Sequence, residues 1–367
     1  MNERDYTNNI VEINNIEEGH ASVSYLTNVF SNNFPQNNQP SSSIYDLEKK
    51  GARDGYQVDC VYPATSALNI GLSYGLTTRD LRSSYIDSAG EVQTLDRNGR
   101  FEERTVIVGY QLTDWFDLTV AYDDTAQFDS YGGSEVSREG VVGEEGTHFG
   151  GLSYGLRLHN ENFWFGLSLG DYHDVGISYE AGSSPGTYNT SGLARISLIL
   201  GGKMFDGKLI LNYGGYTKRI ALVSQFNGGL GAQIIPVRDF ILALGLKVKA
   251  ESDQHGTYTD LSTNIGGEVP LSVLEGLKLR GGVVSRTREN SLDYFNRFSE
   301  SGLWDYTLGF GYERDRLKLD FLYYSYQGVF GSSYNWLTTS TLLENWYVYT
   351  PTNERNAIYA VSMGYEI

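Results

Sequence analysis

The strongest constraint in the sequence is an alternation of apolar and polar side chains with a period of two, which recurs from about residue 18 to the last residue. In 67–76, leucine, isoleucine and tyrosine occupy one face, and asparagine, glycine and serine occupy the other. The same alternation runs through 105–112, 151–158, 240–249 and 357–367. Because successive side chains of a β-strand point to opposite faces, this pattern predicts strands. The chain is therefore predicted to be all-β.

Short polar turns separate many of these segments, and each is predicted to join two strands into a hairpin. Seven such hairpins, a strand near 18–30 and a terminal strand at 355–367 give about sixteen strands. The turns lie at 63–66, 113–115, 159–162, 205–207, 236–239, 273–276 and 314–316.

Longer polar segments alternate with the short turns and are predicted to be surface loops. Most of the acidic residues, such as Glu102-Glu103 and Glu144-Glu145, are expected to lie in loops. The longest of these segments are 31–53, 81–98, 130–146, 288–301 and 328–353.

Two architectures fit such strands, a soluble sheet protein and a membrane-spanning barrel. A soluble propeller would show a repeat of about 40 residues, and the sequence shows none. It also has no run of about 18 apolar residues, which excludes a helical membrane protein. Aromatic residues near strand ends are typical of the girdles of membrane barrels. These residues are Trp115, Phe116, Phe163, Trp304, Tyr312 and Tyr365.

The chain is therefore predicted to be a transmembrane antiparallel up-and-down β-barrel of about sixteen strands, with short periplasmic turns and long extracellular loops. Residues 18–367 form the single barrel domain, and residues 1–17 form a periplasmic tail. The 45 acidic and 28 basic residues give a net charge of −17. This balance argues against nucleic acid, which demands a basic surface.

The end of the sequence carries a family resemblance. Residues 359–367 alternate outward hydrophobic side chains and place Gly364 shortly before the end, which resembles the carboxy-terminal assembly signal of Gram-negative outer-membrane barrels. The chain departs from that signal by ending in Ile367 and not in phenylalanine. By architecture it resembles porins over nearly its whole length. The resemblance implies the bacterial outer membrane, contact with its lipid and a possible homotrimer.

Charged residues recur on the face opposite the apolar stripe. Sixteen strands make a barrel too wide for side chains to fill, and charges in a dry interior would each need a partner. A wet lumen is therefore expected, in which opposed rows of charge bias ion flow; alternatively, these charges simply pair with neighbours such as Asp260 and Glu268. The predicted pore-lining residues are Asp59, Asp117, Asp123, Arg157, Arg195, Lys247, Lys249, Lys278, Arg280, Arg286 and Asp320.

Inward-facing glycines and two unusual loops have open interpretations. Glycine weakens strands, so the inward glycines either make room for an inward-folding loop at 130–146 or ease the curvature of the barrel. Segment 328–353 concentrates aromatic residues where polar ones are expected. They either stack on a sugar, contact a protein partner, cover the mouth or pack among themselves. They are Tyr334, Trp336, Trp346, Tyr347 and Tyr349.

Three functions follow from these patterns. The leading hypothesis is passive diffusion of small hydrophilic solutes or ions through a charged lumen. The first alternative is a hydrophobic-substrate transporter resembling the long-chain fatty-acid transporters, which have fourteen strands and an amino-terminal hatch. Residues 1–53 would then form the plug, although the inward faces are expected to be too polar for an apolar tunnel. The second alternative is a structural or partner-binding barrel that uses 328–353.

Catalysis is not expected. The five histidines are scattered, with no spacing typical of metal ligands. Hydrolysis would require a serine or an acid held beside a histidine, and His173 with Asp171 and Asp174 nearby is only a weak hint of such a site. We therefore predict neither cofactor nor metal.

Overall fold

The computed structural model describes residue 13 and residues 18–33, 45–86, 91–132, 144–179, 186–220, 223–237, 240–253, 256–290, 298–327 and 355–366. These residues form sixteen antiparallel strands, in agreement with the predicted fold. The strands are β1 (His20–Asn33), β2 (Tyr45–Thr65), β3 (Leu68–Ile86), β4 (Val92–Thr113), β5 (Phe116–Gly132), β6 (Glu144–His159), β7 (Phe163–Tyr179), β8 (Gly186–Met204), β9 (Leu209–Ile220), β10 (Val223–Val237), β11 (Phe240–Asp253), β12 (Gly256–Pro270), β13 (Leu277–Asn290), β14 (Phe298–Arg314), β15 (Leu317–Gln327) and β16 (Arg355–Glu366).

The sheet closes on itself. Each strand pairs with its neighbours in sequence, and the first strand pairs with the last in a register that places Val23 opposite Met363 and Tyr25 opposite Val361. Closure leaves no sheet edge, so the backbone hydrogen bonds of the wall are satisfied without water. This arrangement allows the outer face to contact lipid.

The seven predicted hairpin turns all lie at one end of the barrel, which we call the turn end. Two residues separate β4 from β5 and β14 from β15 there. At the opposite end, which we call the loop end, most connections are longer, but only residues 221–222 separate β9 from β10 and residues 254–255 separate β11 from β12. The first residue of β1, His20, and the last residue of β16, Glu366, lie at the turn end.

Several segments predicted as loops are in fact strands. The segments 45–53, 81–86 and 92–98 continue β2, β3 and β4, which reach 21, 19 and 22 residues. Spanning a bilayer takes only about 9–11 residues, so this part of the wall extends well beyond the membrane. A strand beyond the membrane has no lipid on its outer face, so the sequence there lacks the apolar alternation and resembles a loop. The acidic residues of 102–103 and 144–145 likewise lie in strands.

The outer face carries a band of exposed apolar side chains. On β3 the outward residues from Leu68 to Leu76 are leucine, isoleucine and tyrosine, and on β4 they are valine, tyrosine and leucine. Trp115, Phe163 and Tyr365 are exposed where this band meets the turn end. Among the described residues, no helix is long and apolar enough to cross a membrane. An outward apolar band with aromatic side chains at its edge is typical of the lipid-facing surface of transmembrane barrels.

Candidate functional site

The strand registers place the predicted pore-lining residues on the inner face of the wall. Asp117 lies opposite Arg157, and Lys249 lies opposite Asp260, each in phase with the face that points away from the apolar band. Asp59 and Arg286 occupy the same face and are buried. Whether these residues take part in conduction stays a prediction. Their partners, described below, decide how much charge they present to the lumen.

The basic residues near the turn end are paired with acids. Lys278 Nζ lies 3.2 Å from Glu313 Oε2 and 3.6 Å from Glu268 Oε1. Arg280 forms ion pairs with both Glu268 and Asp320. Lys318 adds contacts of 2.6 Å to Glu366 and 3.7 Å to Glu313. We call this set the turn-end charge cluster; its members are Glu268, Lys278, Arg280, Glu313, Lys318, Asp320 and Glu366.

A second group, which we call the buried triad, comprises Arg286, Asp305 and Tyr324 on three adjacent strands. Tyr324 Oη donates a 2.8 Å hydrogen bond to Asp305 Oδ2. Arg286 Nη2 contacts both the Asp305 carboxylate and the Tyr324 hydroxyl. Asp305 is 0% exposed and Arg286 1%. A carboxylate inside a protein is costly unless it is paired and hydrogen-bonded, and here both conditions are met.

A bulge lies beside the buried triad. The pairing of β13 with β14 matches Arg286 with Leu303 and Thr287 with Ser301, so Gly302 is the extra residue. Its φ of 71° is in the left-handed region that favours glycine. Such bulges bend a strand and re-aim its side chains.

A third polar group lies at the turn end, on β5 and β6. Asp117 Oδ2 is 3.0 Å from His159 Nε2 and 3.6 Å from Arg157 Nη1. Asp117 is 1% exposed. Asp117 and Arg157 are predicted from the sequence, whereas His159 is not, because the alternation shows that 157 and 159 share a face but not which acid that face meets.

The remaining predicted residues also have inner-wall partners. Asp59 accepts hydrogen bonds from Ser73 Oγ at 2.6 Å and Gln57 Nε2 at 2.9 Å, and Asp123 accepts one from Thr105 Oγ1 at 2.9 Å. The cations of this group lie over aromatic rings. Arg195 is 4.6 Å from the Tyr216 ring centre, and Lys249 is 6.0 Å from that of Tyr258. Lys247 lies opposite Ser262 in the register.

The inner wall also carries apolar residues that the sequence analysis overlooked. The charges on the inward face led to the expectation that this face is too polar for an apolar tunnel. The structure differs near the turn end of β2, β4, β5, β7, β8 and β9, where inward apolar side chains pack together. Counting the apolar residues at inward positions would have revealed the cluster. We call it the inner apolar cluster; it comprises Ile13, Val61, Ile107, Ala121, Trp164 and Ile199, with Ile210 packed against it.

Ile13 is the one described residue of the segment 1–17, and it lies inside the barrel. Its side chain is 0% exposed, and its backbone carbonyl accepts a 3.1 Å hydrogen bond from Asn69 Nδ2 on β3. The description of 1–17 as a periplasmic tail stays a prediction for the other residues of that segment, which lie outside the described residues. So do 133–143 and 328–353, where a constriction and an aromatic contact surface are predicted.

Metal-ligand geometry is absent from the described part of the chain, where no group of three or more histidine, cysteine, aspartate or glutamate side chains could hold a metal ion. The polar groups of the inner wall pair with each other across strands. This arrangement can bind and orient solutes through charge, hydrogen bonds and apolar contacts.

Comparison with known proteins identifies the fold. A FadL homologue from Pseudomonas aeruginosa aligns with a TM-score of 0.51 at 11% identity, over 98% of this chain and 93% of that chain. CdiB from Acinetobacter baumannii aligns at 0.54 and 8% identity over 96% and 60%. The ferric yersiniabactin uptake receptor FyuA from Yersinia pestis aligns at 0.51 and 9% identity over 96% and 68%. The chain has the fold of a bacterial outer-membrane β-barrel.

Location follows from this fold together with the outward apolar band, and the protein belongs in the bacterial outer membrane. The turn end is then periplasmic and the loop end extracellular, as in other barrels of this kind. No protein-family model matches the chain, and no curated protein matches it.

Proposed function

We propose that this outer-membrane barrel passes small hydrophobic or amphipathic molecules across the outer membrane, as a transporter and not as an enzyme. The observation that carries this proposal is the inner apolar cluster. These apolar side chains of the inner wall are buried against each other and against Ile13. A hydrophobic molecule that takes the place of Ile13 would bury the same apolar area, which is worth about 25 cal/mol per Å². A water-filled diffusion pore gains nothing from such a surface.

The burial and pairing of the inward charged side chains support the same proposal. An open lumen would leave charged side chains hydrated, yet Asp117, Asp305 and Arg286 are almost fully buried and paired. Lys278 and Arg280, which were predicted to line the pore, are balanced by acids in the turn-end charge cluster. Passive diffusion of hydrophilic solutes is therefore less well supported than hydrophobic transport. The FadL homologue, which covers nearly the same length, is consistent with this choice.

Binding to Trp164 tests the proposal directly. The protein would be placed in lipid nanodiscs and titrated with 12-bromododecanoate, whose bromine quenches tryptophan fluorescence on contact. We expect saturable quenching that is lost in Trp164→Phe and kept in Trp115→Phe, because Trp115 faces outward at the turn end. Quenching that is equal in both variants would show that the probe samples only the outer face, and would contradict the proposal.

Conductance in planar bilayers separates this function from the hydrophilic channel. We expect small or absent steps in the wild-type protein, since Ile13 packs inside the barrel and the inward charges of the turn-end charge cluster are paired. Large, stable steps with passage of small sugars would favour the porin-like function instead. A protein that neither conducts nor binds the probe would leave the structural or partner-binding barrel as the better explanation.

A further inference from the structure

The outer face of the barrel carries three charged residues just beyond the apolar band. Arg100, Glu102 and Arg104 alternate on β4 in phase with the exposed Val106 and Val108. Arg104 is the first outward residue past Val106 toward the extracellular end. These side chains therefore lie where the head groups of the outer leaflet meet the wall. We call Arg100, Glu102 and Arg104 the outer arginine clamp.

One buried acid orients the two arginines. Arg104 Nη2 donates a 2.9 Å hydrogen bond to Glu102 Oε2, and Arg100 Nη2 contacts the other carboxylate oxygen. Glu102 is 8% exposed, whereas the side chains of Arg100 and Arg104 are 56% and 60% exposed. The clamp thus holds two guanidinium groups on the wall with most of their surface facing outward. It carries one net positive charge.

On the neighbouring strand, β5, one small and one aromatic side chain lie beside the clamp. In the pairing of β4 with β5, Glu102 lies opposite Ala126 and Arg100 lies opposite Phe128. Phe128 is exposed although it lies beyond the apolar band. Asp124 lies opposite Arg104, with its Oδ2 3.7 Å from Nη1, and its charge offsets the single net positive charge of the clamp.

We propose that the outer arginine clamp binds the phosphorylated head group of a glycolipid in the outer leaflet. The planar guanidinium presents paired N–H donors that match phosphate oxygens. Phe128 offers an apolar face against which a sugar ring packs, which a simple phospholipid head group does not provide. Ala126, opposite Glu102, adds only a methyl group to the outer face of β5 between Phe128 and Asp124.

The position of the clamp favours a lipid over soluble phosphate. The acyl chains of a lipid would lie on the apolar band, where Val106, Leu72 and Tyr122 pair side by side, and its head group would then reach Arg104. Salt screens exposed charges over about 8 Å at physiological ionic strength. A free anion therefore gains little at these exposed arginines, whereas a lipid is held there by its apolar part. This inference is independent of the transport function proposed above.

Binding of bis-phosphorylated lipid A to the full chain in nanodiscs tests the inference, with native mass spectrometry as the readout. The comparison lipids are dephosphorylated lipid A and phosphatidylglycerol, and inorganic phosphate serves as a soluble competitor. We expect bis-phosphorylated lipid A to bind about tenfold more tightly than either comparison lipid. We also expect Arg100→Gln/Arg104→Gln to remove that preference.

A matched control has the same change in charge at the other membrane surface. Arg314→Gln/Arg316→Gln lies at the periplasmic β14–β15 turn and should leave lipid A affinity within about twofold. Phe128→Ala should weaken binding of the glycolipid but not of phosphatidylglycerol. Asp124→Asn should strengthen binding of bis-phosphorylated lipid A, because it removes the nearby negative charge.

Several outcomes would overturn the inference. Equal affinity for phosphorylated and dephosphorylated lipid A, or an unchanged preference in Arg100→Gln/Arg104→Gln, would remove the clamp from lipid recognition. Competition by millimolar inorganic phosphate would make the site one for soluble anions. Equal binding of phosphatidylglycerol would show that the sugar ring does not contribute to recognition. If the double variant fails to fold, unchanged affinity in both Phe128→Ala and Asp124→Asn would also reject it.

Discussion

The indole ring of Trp164 on β7 covers its cross-strand partner Gly201 on β8, so closely that a Cβ at position 201 would overlap the ring. The same relationship recurs where Asn264 covers Gly245 and where Arg280 and Asp320 lie over Gly311. At these positions the missing side chain makes room for a side chain from the next strand. This gives a reason for inward glycines beyond the two considered from sequence.

Adding a methyl group at Gly201 should displace Trp164. We expect Gly201→Ala to lower the free energy of unfolding by about 1–3 kcal/mol through overpacking. Urea unfolding in lipid vesicles, followed by tryptophan fluorescence, measures this change. Gly214→Ala is the control, because the nearest side-chain atom to its added Cβ, Ile199 Cγ2, is 4.0 Å away. An equal loss of stability in both variants would mean that the methyl group destabilises the strand itself and does not act by displacing the indole.

A charge at position 13 should disturb the inner apolar cluster. Ile13→Asp would bury a carboxylate among apolar side chains, which is strongly unfavourable, so its segment should leave that position and the lumen should widen there. We expect single-channel conductance to rise several-fold over wild type in planar bilayers, whereas Ile13→Leu should behave like wild type. Unchanged conductance in Ile13→Asp would show that Ile13 does not limit the lumen.

The buried triad should behave as a coupled unit. Arg286→Met leaves the Asp305 carboxylate buried without its cation, and Asp305→Asn leaves the Arg286 guanidinium buried without its carboxylate. Each substitution should lower the free energy of unfolding by about 3–5 kcal/mol. The double variant should cost less than the sum of the two, which a double-mutant cycle measures. Lys318→Gln, in a partly exposed pair with Glu366, should cost about 1 kcal/mol or less. Additive costs for Arg286 and Asp305 would contradict the coupling.

Reversing two charges in the turn-end charge cluster should change ion selectivity wherever ions pass. In a conducting Ile13→Asp background, Lys278→Glu/Arg280→Glu leaves Glu268, Glu313 and Asp320 without these cations. The reversal potential in a salt gradient should then shift toward cation selectivity. An unshifted potential would place the ion path away from Lys278 and Arg280. Arg314→Glu/Arg316→Glu, on the turn outside the lumen, is the control for a general change in charge.

Local patterns in the sequence were enough to predict the architecture. Alternation with a period of two depends only on the residues of one strand, so the inward parity of Asp59 or Lys249 follows without knowing its neighbours. The short polar turn at 314–316 is recognisable in the sequence alone and separates two alternating segments. Where the wall leaves the bilayer this signal fades, because the outer face has no lipid beside it, and 92–98 was therefore mistaken for a loop.

The sequence by itself determined the strand order, the outward apolar band and which charges face inward, since these are set by local periodicity and by a lipid solvent on one side. Only the tertiary structure decided which inward side chains meet. The register of neighbouring strands brings Tyr324 to Asp305 and Trp164 to Gly201, and closure of the barrel brings Ile13 to Val61 and Ile199. Such contacts depend on pairing between distant segments, which the period of a single strand does not encode.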